Sequence, residues 1–336
     1  MIEDAIKKLV KNQDLTYDEA LACMDEIFGG EATEIQTAGY LTALRMKGET
    51  VEEISASAKG MRNHAAQLEH GRMEVLEIVG TGGDCANSFN ISTTSGLVAA
   101  AAGIPIAKHG NRSVSSKCGA ADVLEALGVD ITISPEKMSA VLQRTNICFM
   151  FAQVYHKAMK YVAPVRKDLR IRTIFNILGP LTNPANASMQ LMGVYEEALV
   201  QPMARVLNKL GVNNGMVVYG QDCLDEISLS APTTVCEIRD GKFKTYVIEP
   251  EQFGFRKCDK RELEGGNLEK NAAITKAILR GEKGAKRDAV VLNTAACIYI
   301  ARKVDTMQEA VKVAEEMIDS GKAMEVLNQF VALTNA

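Results

Sequence analysis

Lys108-His109-Gly110-Asn111-Arg112-Ser113-Val114-Ser115-Ser116 gathers two strong cations, a histidine, a glycine and a cluster of small hydroxyls in nine residues. That mixture suits a polyanion held by backbone N–H groups, hydroxyls and positive charge, with lysine as a point charge and arginine able to engage two oxygens at once. About two dozen residues earlier stands Gly80-Thr81-Gly82-Gly83-Asp84, a glycine turn that lets a second backbone segment approach the same ligand. Its continuation, Asn87-Ser88-Phe89-Asn90-Ile91-Ser92-Thr93-Thr94, supplies amides and hydroxyls at a helix start, where free N–H groups favour an anion. Capping by Ser92 or Thr93 is the plainer reading of the same hydroxyls, and the two roles are compatible. Together the two segments read as a site for a phosphorylated sugar.

Asp225-Glu226 follows the polar turn Gly220-Gln221-Asp222-Cys223-Leu224. Adjacent carboxylates are commonly only surface charge, but magnesium is held by one or two carboxylates together with substrate phosphates and water. Beside a pyrophosphate site the pair is the metal candidate. Arg166, just after Ala163-Pro164, is a carboxylate clamp in the making, against the commoner fate of a surface cation. His109 reads as a residue that holds its loop, and His156 as one that packs.

The elements that must position these groups follow from periodicity. The first seventy residues read as helices only: Thr16 with Glu19, Thr33 with Gln36 and Thr50 with Glu53 have capping-box spacing, and Gly29-Gly30 and Gly48 mark ends. This makes a small helical domain over residues 1–72, joined by part of 160–186, with apolar faces that need a partner such as a second subunit. Residues 73–336 make the larger domain. There, Val75–Val79 is a strand leading into the glycine turn, Thr94–Ala102 a helix, and Ile104–Ala107 a second strand leading into Lys108. Strand–loop–helix–strand–loop is the order of an α/β fold, whose ligands gather at the carboxyl ends of the strands. Cys148–Phe151, Gln190–Tyr195 and Gly215–Tyr219 are further strands, and Asp240-Gly241 is a hairpin turn between Val235–Arg239 and Phe243–Ile248. Pro164–Pro184, with its proline, glycine and asparagine, reads as a hinge.

Composition limits the alternatives. The chain has 336 residues, 47% of them hydrophobic and 24% charged, with a net charge of −4. No global basic field draws it to nucleic acid, so an anionic ligand must be caught by local charge. Eight cysteines without a C-x-x-C pair, beside four histidines, argue against a zinc site and for a reducing compartment. The longest apolar run, Leu97–Ala107, is too short to span a bilayer, so a cytoplasmic location is expected.

Taken together, these segments resemble the anthranilate phosphoribosyltransferases, enzymes of tryptophan synthesis. The likeness runs over nearly the whole chain. It is carried by Val79–Asp84, Asn90–Thr93, Lys108–Arg112, Ala121–Gly128, Val162–Arg166, Asn176–Pro184 and Leu224–Ser228, in that order and spacing. The resemblance implies a homodimer, a small helical domain and a large domain with a central, mostly parallel sheet flanked by helices. It also implies transfer of a phosphoribosyl group from phosphoribosyl pyrophosphate to the amine of anthranilate, assisted by two magnesium ions per subunit. By position, Gly80, Gly83, Asp84, Ser88, Asn90, Ile91, Ser92, Thr93, Lys108, His109, Gly110, Asn111, Arg112, Ser113, Val114, Ser115, Ser116 and Ala120 would surround phosphoribosyl pyrophosphate. Ser92 would touch one magnesium and Asp225 with Glu226 would hold another; Gly80, Asn111 and Arg166 would contact anthranilate. The resemblance assigns no general acid or base. Cys85 stands where the family has glycine, Ser88 where it has threonine, and Cys118 and Ala120 where it has serine. Nucleoside phosphorylases share the architecture, as does a nucleic-acid-binding relative. The former would need a different lysine–serine loop and no Asp-Glu pair, the latter a basic groove.

Overall fold

The computed structural model describes residues 1–84, 86–113 and 117–336. Four helices come first: α1 (Ile2–Leu9), α2 (Tyr17–Gly29), α3 (Glu34–Lys47) and α4 (Val51–Asn63). All three expected capping boxes close, with Thr16, Thr33 and Thr50 each accepting from the third helical N–H while Glu19, Gln36 and Glu53 reach back. Each cap contributes about 1 kcal/mol. Glu53 does more: buried, it also accepts from Leu15 N at 2.9 Å and from Lys47 Nζ at 2.9 Å, tying α4 to the chain before α2.

A seven-stranded sheet follows, in the order β3-β2-β1-β4-β5-β6-β7. Its strands are β1 (Leu76–Gly80), β2 (Ile106–Gly110), β3 (Ile147–Phe151), β4 (Met189–Gly193), β5 (Asn214–Gly220), β6 (Thr233–Arg239) and β7 (Lys242–Ile248). The first five in spatial order are parallel and the last two antiparallel. The β6–β7 hairpin turns at Asp240 (φ 50°) and Gly241 (φ 72°), as the Asp-Gly pair predicts. Between the strands lie α5 (Ile91–Ala101), α6 (Ala120–Leu127), α7 (Pro135–Thr145), the short α8 (Ala152–Tyr155), α9 (Ala163–Leu169), the short α10 (Phe175–Leu178) and α11 (Val200–Lys209). Four helices close the chain: α12 (Leu268–Leu279), α13 (Ala285–Ile300), α14 (Met307–Asp319) and α15 (Lys322–Thr334).

The small residues of α5 let it lie flat on the sheet. A Cβ on Gly96 would already sit 3.5 Å from both Ile78 and Ile106. Its other side meets α13, where Ser95 Oγ donates to Val290 O and Thr294 Oγ1 to Ser95 O, both at 3.3 Å. On the opposite face of the sheet, Met192, Val217 and Ile238 share one buried apolar cluster with Val206 and Leu207 of α11, Met24 and Ile54 of the first helices, and Val162–Leu181.

The structure corrects several boundaries. The second strand starts at Ile106 and runs on through Lys108, His109 and Gly110, so three residues read as loop are strand. The helix expected from Thr94 begins at Ile91, which puts Ser92 and Thr93 inside its first turn instead of at its cap; Asn90 holds the cap position without a capping bond. The hinge-like Pro164–Pro184 stretch folds into α9, α10 and a 3-10 turn at Gly179–Leu181. Proline at a first helical turn is compatible with helix.

Candidate active site

From β1 the chain winds outward through β2 and β3, then returns to lay β4 on the other side of β1. The carboxyl ends of β1 and β4 therefore flank the point where winding direction reverses, the usual ligand crevice of such a sheet. Both strands end in glycine. A Cβ on Gly80 would lie 2.2 Å from Asp225 Oδ2, and one on Gly193 would lie 1.6 Å from Asp225 O. Only a pair of glycines lets the Asp225 backbone and carboxylate settle into that crevice.

The glycine turn wraps over the same carboxylate. Gly82 (φ 69°) donates its N–H to Asp225 Oδ2 at 2.6 Å, and Thr81 N bonds Gly193 O at 3.0 Å. Asp84 Oδ2 lies 3.5 Å from Asp225 N. Glu226, next along, accepts the N–H of Ser92 in the first turn of α5 at 3.2 Å. A carboxylate at a helix N-terminus is well placed electrostatically. From β2, Lys108 Nζ donates to Ser92 Oγ at 3.1 Å and to Ile78 O at 2.6 Å, and the side chain is buried. Gly82, Ser92, Lys108, Asp225 and Glu226, drawn from four separate stretches of sequence, thus form one connected cluster.

Charge in this cluster is frustrated. Burial, with Asp84 and Glu226 alongside, pushes the Asp225 carboxyl well above the usual carboxylate range. Burial likewise raises Glu226 to about 7, against the pull of Lys108 and of its bonds to Ser92. Burial lowers Lys108, opposed by Glu226 and Glu77. Two buried acids that resist ionisation gain from a divalent cation.

The remaining predicted residues divide. Asn90 donates through Nδ2 to Cys118 O at 3.1 Å, while its Oδ1 and the Thr93 Oγ1 are buried without a partner among the described residues. Ser88 pairs with Glu264 in an isolated bridge that straps the segment before α5 to the chain before α12. Ile91 is core: its side chain is buried and its N–H is taken by Phe89 O at 2.7 Å. His109 donates its backbone N–H to Glu77 Oε1 at 3.1 Å, and its Nδ1 faces Gly179 O at 3.2 Å, which requires the proton on Nδ1. Burial, with His156 at 4.9 Å between ring centroids, depresses it to about 3, so the ring is neutral. Gly110 ends β2 against Phe149 and Ala120. Asn111 turns Oδ1 back onto Arg112 N at 2.8 Å. Arg112 bonds through its guanidinium to Asp122 at 3.1 Å and to both oxygens of Glu125, on α6, and stacks over Phe151. Ser113 N bonds Asp122 Oδ2 at 3.0 Å. Val114, Ser115, Ser116 and Cys85 lie outside the described residues. Arg166, half-buried on α9, lies over the Phe175 ring at 5.5 Å, and among the described residues no carboxylate pairs with it. Phe175 opens the short helix that leads to Gly179, the partner of His109.

Sequence reasoning marked the Gly80–Asp84 turn as a whole but missed Gly193 and Glu77. A strand ending in glycine was the available signal for Gly193; nothing local marks a strand glutamate as buried. Arg172 donates to Gly83 O at 3.0 Å and stacks on Tyr195 at 4.3 Å, fastening the glycine turn from outside.

No three His, Cys, Asp or Glu side chains among the described residues converge as a metal cage. Magnesium does not need one, since it retains waters and takes one or two carboxylates plus phosphate oxygens. The Asp225–Glu226 pair, with the unpartnered Asn90 and Thr93 oxygens at the adjoining helix start, is a partial oxygen donor set that fits it.

A sheet of this order, a helical bundle at its side and an acidic, glycine-lined crevice at the switch point define a class of glycosyl transferases. The a/b domain of the glycosyl transferase family matches residues 72–324 and the helical bundle domain of that family matches residues 3–65. Within the class, the chain is 63% identical over 335 residues to the anthranilate phosphoribosyltransferase of Lachnoclostridium phytofermentans, covering 100% of this chain and 99% of that one. It is 60% identical over 336 residues to the enzyme of Methanobrevibacter smithii, covering 100% of both. Among solved structures it resembles the Thermus thermophilus anthranilate phosphoribosyltransferase, with a TM-score of 0.94, 43% identity, and 99% and 100% coverage. The Saccharomyces cerevisiae enzyme in complex with PRPP and Mg has a TM-score of 0.91, 28% identity, and 99% and 98% coverage. The chain belongs to the anthranilate phosphoribosyltransferase family.

Proposed function

We infer that this chain transfers the 5-phosphoribosyl group of phosphoribosyl pyrophosphate to the amine of anthranilate and releases pyrophosphate. The observation that carries the reading is Asp225, seated on Gly80 and Gly193 at the sheet's switch point and bonded to the glycine turn. Bound magnesium would neutralise charge on the pyrophosphate, with Asp225, Glu226 and Ser92 as its holders and two ions per subunit. The chain's own residues do the rest. The Gly80–Asp84 turn and the Asn90–Thr93 helix start offer N–H groups and hydroxyls to the phosphates. Lys108 holds Ser92 and supplies positive charge beneath the site. Arg166 orients the anthranilate carboxylate, with Gly80 and Asn111 beside the ring. The anomeric carbon gains oxocarbenium character as the C–O bond to pyrophosphate breaks, and the aromatic amine is nucleophilic without a base. Accordingly no residue is given a general-base role; the work is positioning and charge stabilisation.

The subunit works as a homodimer through its helical domain, in the cytoplasm. No helix among the described residues is long and apolar enough to cross a membrane. The test is loss of anthranilate fluorescence with phosphoribosyl pyrophosphate and magnesium, run against uridine or thymidine with phosphate. Turnover of the nucleoside alone would overturn the assignment. Replacing both Asp225 and Glu226 by alanine should sharply reduce turnover with the circular dichroism spectrum unchanged; unaltered magnesium-dependent kinetics would remove the pair from the mechanism.

A further inference from the structure

The Asp225–Glu226 pair rides on the β5–β6 connection, which is fastened on both sides by groups with no role in the account above. On the near side the chain closes on itself, Gly220 N bonding Leu224 O at 2.8 Å and Leu224 N bonding Gly220 O at 3.2 Å. Inside that turn Asp222 Oδ2 accepts from Ser228 Oγ at 3.0 Å and from Ser230 Oγ. Ser228 Oγ in turn accepts from Ser230 N at 3.0 Å and Ala231 N at 3.2 Å. Lys260 Nζ donates to Asp222 O, anchoring the turn to the chain before α12. A Cβ on Gly220 would stand 2.8 Å from Asp222 Oδ1, so the carboxylate closes over a glycine. On the far side Asn293, buried on α13, accepts Ile227 N at 3.0 Å and donates to Ile227 O at 2.9 Å.

Asp222 therefore bridges across the acidic pair, from the residue three before Asp225 to residues two and four after Glu226. Among the described residues its Oδ1 is buried without a partner, a cost that a merely solvated aspartate avoids. We propose that Asp222 is a positioning residue for the divalent-cation site. Its carboxylate, opposite the Asn293 clamp, locks the backbone so that the two acids are presented together. The proposal rests on Asp225 and Glu226 being the magnesium carboxylates.

Mn2+ binding in the presence of pyrophosphate, read by electron paramagnetic resonance without anthranilate, tests it apart from turnover. Asp222→Ala should weaken Mn2+ binding about 10–100-fold, the usual effect of removing a group that orients metal ligands. Asp222→Asn, which keeps one oxygen acceptor for the serine hydroxyls, should fall between that variant and wild type. Unchanged Mn2+ affinity in Asp222→Ala, with affinity lost in an Asp225→Asn/Glu226→Gln double variant, overturns the proposal and leaves the metal assignment standing. Wild-type affinity in the double variant overturns both. Should Asp222→Ala fail to fold, Ser230→Ala, which removes one donor to the same carboxylate, decides with a smaller expected loss; wild-type affinity there counts against the proposal.

Discussion

Lys108 shows how far a side chain's role depends on what surrounds it. Its charge is buried and engaged by Ser92 and a strand carbonyl, so in the proposed site it would act on phosphate through the groups it holds. Arg112 likewise answers to Asp122 and Glu125 on α6. Ala120 is the first residue of that helix, and its Cβ lies beside Gly110. In the proposed site a serine there would add one hydrogen bond toward the phosphorylated substrate, so Ala120→Ser should lower the Michaelis constant for phosphoribosyl pyrophosphate by an amount matching roughly 0.5–1.5 kcal/mol. An unchanged or higher constant would refute it. For Arg166→Ala the loss should fall on anthranilate, raising its Michaelis constant about 10–100-fold as expected for a charge-assisted pair. A defect confined to the phosphorylated substrate would contradict the assignment.

At the scale of elements, the crevice exists because β1 and β4 end in glycine while a loop from beyond β5 drops between them. Gly193→Ala should displace the Asp225 backbone, lowering turnover and weakening magnesium dependence far more than stability; kinetics like wild type would show that the loop tolerates the shift. Strands β1 and β2 are also joined by a buried acid. Glu77 receives His109 N, and burial raises its carboxyl from an ordinary 4.5 to about 8. The folded chain keeps this proton where the unfolded chain has released it. The stability it adds is therefore full below about pH 4.5 and lost as pH rises to about 8. His109 and His156, held neutral by burial at about 3 and about 4, act in the opposite sense and cost stability as pH falls below the unfolded value of 6.5. Glu77→Gln should gain on wild type in urea denaturation as pH rises from 5 toward 8. A pH-independent difference between the two proteins would exclude Glu77 as the titrating group.

For the whole molecule, the helical bundle packs on one face of the sheet but leaves apolar surface uncovered. Ile35 and Met46 are 84% and 83% exposed on α3. They stand eleven residues apart, about three helical turns, and so lie on one face. The proposed homodimer would bury these two side chains against a second subunit. An Ile35→Glu/Met46→Glu variant should sediment as a monomer with its helical content intact; a dimer of unchanged strength would place the subunit contact elsewhere.

Much of this was legible along the chain. Caps at Thr16, Thr33 and Thr50, the Asp240-Gly241 hairpin and the strand leading to Gly80 depend on neighbours within a few residues, and each formed as its local pattern requires. Glycine at the end of a strand, acids side by side and cations among hydroxyls also point to the proposed anion and metal site, because those residue types can carry that chemistry when they meet, although adjacent acids alone are commonly surface charge. Which oxygens and nitrogens meet is another matter. Asp225 finds Gly82 across 143 residues, Ser92 finds Glu226 across 134, and Asn293 finds Ile227 across 66. Such contacts obey the winding of the sheet and the packing of α5 and α13, not the spacing of letters. Burial, which turns ordinary carboxylates and histidines into strongly shifted ones, arises only when distant segments close over them and exclude water.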